Sequence, residues 1–206
     1  MQYSQKVLDH FMNPHNVGKL ENPDAQATEG SPACGDQVTL HLKVNPDTKV
    51  IEDIKFQSYG CASNIATGSI ITDMAIGKTI EEAKDIHWKD AAAELDGLPP
   101  QKMHCSVLAV DTLHAAIRNY EESHGMAERE DFDKQAIVDE LRKVIYPKVG
   151  EDIVTLKMVK YVGFEDGVAT IDLEVPSFDP YRDNVKEEIE EHLEKFKQIK
   201  KIIVNM

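Results

Sequence analysis

The sequence predicts an α+β fold in two domains, a first of helices packed on a small antiparallel sheet and a second, smaller unit ordered α-β-β-α-β. Three observations lead there. Residues 36–58 alternate like strands and change to a helical period after Gly60. A charge-rich stretch at 125–131 interrupts the pattern, and beyond it a new set of amphipathic elements begins. With 206 residues and 41% hydrophobic composition the chain can fill one ordinary core or two small ones. The division predicted is 1–125 and 133–206, joined by a linker at 126–132.

Residues 3–12 carry Val7, Leu8, Phe11 and Met12 at helical spacing, and Asn13-Pro14 stops that helix. A loop rich in Asn, Pro and Gly is expected up to Gly35. From Asp36 to Val44, Val38, Leu40, Leu42 and Val44 share one face of a strand, with Thr39, His41 and Lys43 on the other. Asn45-Pro46-Asp47 turns the chain into a second strand, about 50–58, with Ile54 and Phe56 on one face. The two should form an antiparallel hairpin. A helix over 62–76 follows, then another opening at Thr79, whose spacing to Glu82 fits a capping box. Leu98-Pro99-Pro100 forbids continuation, and the next helix runs from about Cys105 to Glu122. In the second domain the pattern gives a helix with Ile137, Val138, Leu141 and Val144, and a strand near 159–164. The Asp166-Gly167 turn leads to a strand with Ala169, Ile171 and Leu173 inward, then a charged helix over 182–196 and a last strand at 202–204.

Charge narrows the function. With 23 basic and 37 acidic residues the formal charge is -14, which repels the phosphate backbone that a nucleic-acid binder must neutralise. The N-terminus lacks a positive segment followed by an apolar one, and no uncharged run reaches membrane-spanning length, so a cytoplasmic protein is expected. Three widely spaced cysteines without a secretory signal argue against a disulfide framework and for thiol or metal chemistry.

In an antiparallel hairpin the residue before the first strand lies beside the residue after the second. Cys34 and Cys61 hold those positions, with Asp36 close to Cys34, and Cys105 opens a helix. The positive end of a helix dipole favours a thiolate, which predicts a lowered pKa for Cys105, and Cys61 likewise precedes a helix start. The resulting set is three soft thiolates with one harder group, the carboxylate of Asp36 or the imidazole of His104. Sulfur selects iron–sulfur clusters, zinc or copper(I). A fourth ligand weaker than thiolate suits a site that must release what it holds. Against this stands the blander reading of a lone cysteine as a small buried hydrophobe. His10, His15 and His114 read as structural, and the acidic run 186–194 as a solvated helix face. Three cysteines with His104 or Asp36 would serve Zn²⁺ equally well. A thiol enzyme with Cys105 as nucleophile is disfavoured, because His104 is its sequence neighbour and adjacent helical residues do not face each other.

The segments YSQKVLDHFMNPHNVG (3–18), Ala33-Cys34-Gly35-Asp36, Gly60-Cys61-Ala62-Ser63 and LPPQKMHCS (98–106) resemble the iron–sulfur scaffold proteins of the IscU and NifU N-terminal type over residues 1–125. The resemblance implies Cys34, Cys61 and Cys105 as ligands, Asp36 as the carboxylate associated with cluster lability, and His104 as a residue able to ligate cluster or zinc. It implies a carrier and not an enzyme. A cysteine desulfurase would deliver persulfide sulfur to Cys105, an iron or electron donor would complete a 2Fe–2S cluster, and apo iron–sulfur proteins would receive it. A homodimer sharing the cluster is compatible with it. Gln101 stands where the IscU branch usually has valine, which puts Hsp70 dependence in question. The second domain resembles the MIP18 (DUF59) family through IVDELRKVIYPKVGEDIVTLKMV (137–159) and the Glu165-Asp166-Gly167 hairpin. It reads Phe178-Asp179-Pro180-Tyr181 where members often carry Cys-Pro, so it is expected to dock partners and not to ligate a cluster.

Overall fold

The computed structural model describes residues 3–31, 35–126 and 132–206. The chain separates into two compact units, Met1–Glu128 and Arg129–Met206. The predicted linker falls mostly on residues 127–131, which lie outside the described residues, as does Cys34.

The first unit is built on the predicted hairpin. Strands β2 (Asp36–Val44) and β3 (Ile51–Tyr59) pair antiparallel, with Gln37 opposite Tyr59 and Leu42 opposite Ile54. The intervening turn is closed by Asn45, whose Oδ1 accepts the Asp47 and Thr48 N–H groups at 3.0 Å each. Val38, Leu40, Leu42, Ile54 and Phe56 face the core, as the alternation requires. His41, expected on the outer face with Thr39 and Lys43, is nevertheless buried.

The segment read from sequence as loop contains a further strand, β1 (Ala25–Ser31), antiparallel to β2 from Ala25 opposite Leu42 to Ser31 opposite Asp36. It was illegible because its inward positions near the N-terminal end are Ala25 and Ala27, too small to mark a hydrophobic alternation. The same smallness lets a helix approach. Here α5 (Met103–Ser123) packs against β1 and β2.

Before the sheet, α1 (Gln5–Met12) is capped by Ser4, whose hydroxyl accepts the Val7 N–H at 3.1 Å. Only Val7 of this helix is buried, while Leu8, Phe11 and Met12 remain exposed. After the sheet comes α2 (Ala62–Ala75), buried along most of its length. Gly68 faces the Phe56 ring so closely that a Cβ there would sit 2.6 Å from Cε2, so glycine is what lets α2 lie on β3. The predicted capping box at Thr79 and Glu82 opens α3 (Ile80–Lys84). A second short helix, α4 (Trp88–Glu94), was not anticipated. The 3₁₀ turn Pro100–Lys102 then leads into α5, which begins at Met103 and so carries Cys105 inside its first turn instead of at its start.

In the second unit, Asp133 caps α6 (Lys134–Leu141) by accepting the Ala136 N–H at 3.0 Å. Val144, expected on that helix, lies beyond its end. It leads into a two-residue pair missed from sequence, β4 (Ile145–Tyr146) with β5 (Glu151–Asp152), too short to show a period. Strands β6 (Val159–Glu165) and β7 (Val168–Leu173) form the predicted hairpin about Asp166 and Gly167, both in the left-handed region at φ 51° and 82°. Helix α7 (Arg182–Glu194) returns the chain to β8 (Lys201–Asn205), which adds parallel to β7. Ile137, Leu141, Ile171, Val185, Ile189 and Leu193 fill the core of this unit.

Candidate metal centre

The hairpin brings its open end to the start of α2 and the first turn of α5. Asp36 begins β2, Cys61 follows β3 and occupies the N-cap of α2 in an extended conformation, and His104 and Cys105 project from α5. The Cys61 and Cys105 sulfurs are 3.8 Å apart, and each lies 3.7 Å from Asp36 Oδ2. His104 Nε2 is 3.5 Å from the Cys105 sulfur. The donor atoms of Asp36, His104 and Cys105 fall within 4.8 Å of one another, the scale of a small metal centre. Two thiols, one imidazole and one carboxylate thus converge from three elements. Cys34 lies outside the described residues.

Several contacts hold this arrangement. Asp36 is buried, and its Oδ1 accepts the Cys61 backbone N–H at 3.3 Å, tying the carboxylate to the start of α2. A Cβ at Gly60 would meet Asp36 Oδ1 at 2.5 Å and Asn64 Nδ2 at 2.6 Å, so the absence of a side chain there makes room for the carboxylate. Asn64 in turn donates to Ser58 Oγ at 3.0 Å, joining α2 to the end of β3. On the far side of the thiols, Thr67 Oγ1 donates to the Cys105 carbonyl at 3.1 Å and fixes α5 against α2.

The electrostatics reverse one expectation. Cys105 is wholly buried, and its thiol is pushed up by its hydrogen bond to Cys61, by burial and by the Cys61 and Asp36 charges. Cys61 is the acidic member, lowered to about 5, first by the Cys105 hydrogen bond and then, against the effect of burial, by the Asn64 amide at the start of α2. The helix-dipole argument holds for Cys61, which occupies the N-cap of α2, and fails for Cys105, which sits within a helix and out of water. The pair gives up its first proton at Cys61 and keeps the second on Cys105, between the two sulfurs.

The structure also corrects the exclusion of a His104 and Cys105 contact. Sequence neighbours do not face each other in mid-helix, but in the first turn of α5 the His104 ring folds back to reach the sulfur. Lys102 was not singled out from sequence. Burial alone would lower its ammonium, but the neighbouring Cys61 and Cys105 sulfurs raise it, so it stays a cation beside the thiols. The available signal was its place three residues before Cys105, within one turn.

Comparison with known proteins agrees with this architecture. Residues 2–127 match the family described as NifU-like N terminal domain, and residues 134–205 match the one described as iron-sulfur cluster assembly protein. The chain is 49% identical over 127 residues to the iron-sulfur cluster assembly scaffold protein IscU of Aquifex aeolicus, covering 62% of this chain and 81% of that protein. It is 56% identical over 128 residues to IscU 1 of Archaeoglobus fulgidus, covering 62% and 82%. With IscU of Escherichia coli it shares 49% over 123 residues, covering 58% and 94%. Three-fifths of its length carries the match and contains the whole thiol, imidazole and carboxylate centre, so the chain belongs to the NifU-like N-terminal domain family.

Proposed function

We propose that this chain is an iron–sulfur cluster assembly scaffold that builds a labile cluster and passes it to apo-proteins. The observation that carries the reading is the convergence of Asp36, Cys61, His104 and Cys105 at one end of the hairpin, in a chain of the NifU-like family. Cys34, two residues before Asp36 in the sequence, supplies the third thiolate. The cluster is cargo, held by three thiolates and one harder ligand, and 2Fe–2S is the nuclearity proposed for it.

Assembly needs sulfur, electrons and iron. A cysteine desulfurase delivers persulfide sulfur to a thiolate of the pair. An electron donor reduces that sulfur to sulfide, and ferrous iron binds it together with the cysteines. Asp36 holds the thiols close while adding negative charge beside them, which weakens retention and favours release to an acceptor. The similarity supports this reading and not the alternative of a zinc module, and the role is that of a cytoplasmic carrier. The second unit, which has no cysteine, recruits partners. Among the described residues no helix is long and apolar enough to cross a membrane.

The test is anaerobic reconstitution of the apoprotein with ferrous iron, cysteine and a desulfurase, followed by visible absorption and Mössbauer spectroscopy. The expected product is a chelator-labile chromophore that transfers to an apo-ferredoxin. A protein that binds zinc but forms no transferable chromophore would overturn the proposal.

A further inference from the structure

A second cluster of metal-ligating side chains lies outside the cysteine centre, at the C-terminal end of α1. His10, in the last turn of α1, His15, in the loop after it, and Asp73, on α2, present donor atoms that all lie within 4.8 Å of one another. His15 Nδ1 is 2.6 Å from Asp73 Oδ2, and the two imidazole centroids are 4.8 Å apart. Asp73 stands just over three turns along α2 from Cys61, roughly 18 Å by the helical rise, and the two centres share no residue.

The surrounding contacts orient these groups as a ligand set. Asn16, held in the left-handed region at φ 55°, donates its amide to Asp73 Oδ1 at 3.1 Å and to Thr72 Oγ1 at 3.0 Å. That fixes one carboxylate oxygen and turns the other toward His15. Ser69 Oγ accepts the His15 backbone N–H at 2.8 Å and lies 2.8 Å from His10 Nδ1, placing both histidines from one hydroxyl. Partners of this kind, bonded to the atom of a ligand that does not face the ion, set the orientation of metal-binding histidines and carboxylates. The side chains of His15 and Asp73 are 58% and 33% exposed, leaving an approach for an ion and for water to complete its shell.

We propose that His10, His15 and Asp73 form a second metal site, separate from the cysteine centre, that takes a divalent transition cation and pins the end of α1 to α2. Two imidazoles and one carboxylate suit Zn²⁺, Co²⁺ or Fe²⁺ and do not suit Ca²⁺ or Mg²⁺, which prefer all-oxygen shells. The rearrangement required is small. Ligand atoms about 2 Å from a tetrahedral ion stand roughly 3.3 Å apart, so the direct bond between His15 and Asp73 opens by less than about 1 Å and donor pairs up to 4.8 Å apart close by at most about 1.5 Å.

The experiment uses the full chain with Cys34→Ser, Cys61→Ser and Cys105→Ser, which removes thiolate binding and makes the result independent of cluster assembly. Co²⁺ and Zn²⁺ are titrated against a chromophoric chelator, with His15→Ala and Asp73→Asn added in turn and folding checked by circular dichroism. The expected result is one equivalent of metal without sulfur-to-cobalt charge-transfer bands, and affinity at least tenfold weaker in either added variant. The His10 and His15 imidazole resonances should also broaden with Co²⁺ while that of His114 stays sharp. Metal affinity unchanged by both added variants, or no metal retained at micromolar concentration, overturns the proposal.

Discussion

Asp36 is the residue whose removal separates the two demands on the centre, holding a cluster and releasing it. Its Oδ2 lies 3.7 Å from both the Cys61 and the Cys105 sulfurs. At ~4 Å two like charges repel by about 1 kcal/mol if water screens them fully and by about 4 kcal/mol at the effective dielectric of a half-buried site. Each factor of ten in rate or affinity corresponds to about 1.4 kcal/mol. A 2Fe–2S core held by three thiolates is net anionic, so removing the neighbouring carboxylate should strengthen its retention, by about fivefold to about a thousandfold. Asp36→Asn and Asp36→Ala divide the effect. Both remove the charge, but Asn keeps an acceptor for the Cys61 N–H, whereas Ala leaves that donor unpaired at a cost of about 1 kcal/mol in stability. The assay is the rate of transfer from the reconstituted protein to an apo-ferredoxin, with urea midpoints measured on the apoproteins. Both variants should transfer more slowly by the same factor, and only the alanine variant should lose stability. Transfer at the unchanged rate in Asp36→Asn would refute the electrostatic account. Slow transfer in Asp36→Ala alone would mean that geometry, and not charge, governs release.

Other substitutions test the frame around the centre and the second unit. Cys61→Ala and Cys105→Ala should each abolish a stable chromophore on reconstitution, and a cluster retained by either variant would remove that cysteine from the ligand set. Gly68→Ala puts a Cβ 2.6 Å from the Phe56 ring, and overpacking of this kind should lower stability by about 1–3 kcal/mol in urea; an unchanged midpoint would show that α2 can shift off β3 freely. In the second unit, burial alone would raise the Glu140 carboxyl, but the hydrogen bond from His192 and the Lys143 ammonium hold it at about 2. A carboxyl lowered by folding stabilises fully above its unfolded pKa and loses that contribution as pH falls through its folded one, here between about 4.5 and about 2. Glu140→Gln should flatten the urea midpoint of the second unit across that window, and an identical acid limb in the variant would sink the assignment.

The parts of the fold that were legible are those where chemistry repeats. The β2 and β3 hairpin was readable because Val38, Leu40, Leu42 and Val44 alternate without exception and Asn45-Pro46-Asp47 punctuates them. The capping box at Thr79 and the Asp166-Gly167 turn were readable because each needs particular residue types at fixed offsets. What escaped was structure specified by its neighbours. β1 exists because β2 offers it an edge and α5 covers its alanines, and neither fact is local to 25–31. The β4 and β5 pair spans two residues per strand, below the length at which any period can appear.

The site was legible to a different depth. That Asp36 and Cys61 meet followed from topology, since both lie at the open end of an antiparallel hairpin, but that α5 brings His104 and Cys105 to them did not. Which thiol ionises first did not follow, because that depends on burial, and burial depends on the sheet and helices that cover a residue. A two-residue difference in where α5 begins would leave Cys105 an end residue, but Pro100–Lys102 winds the chain before Met103 and carries Cys105 into the first full turn. There α2 covers it, through Thr67 and its own carbonyl, while Cys61 stays at an N-cap that water reaches. The asymmetry suits a scaffold. With the Cys61 thiol lowered and the Cys105 thiol raised, an incoming sulfur or iron would meet its thiolate at Cys61, and a metal there would supply the positive charge that favours ionisation of Cys105.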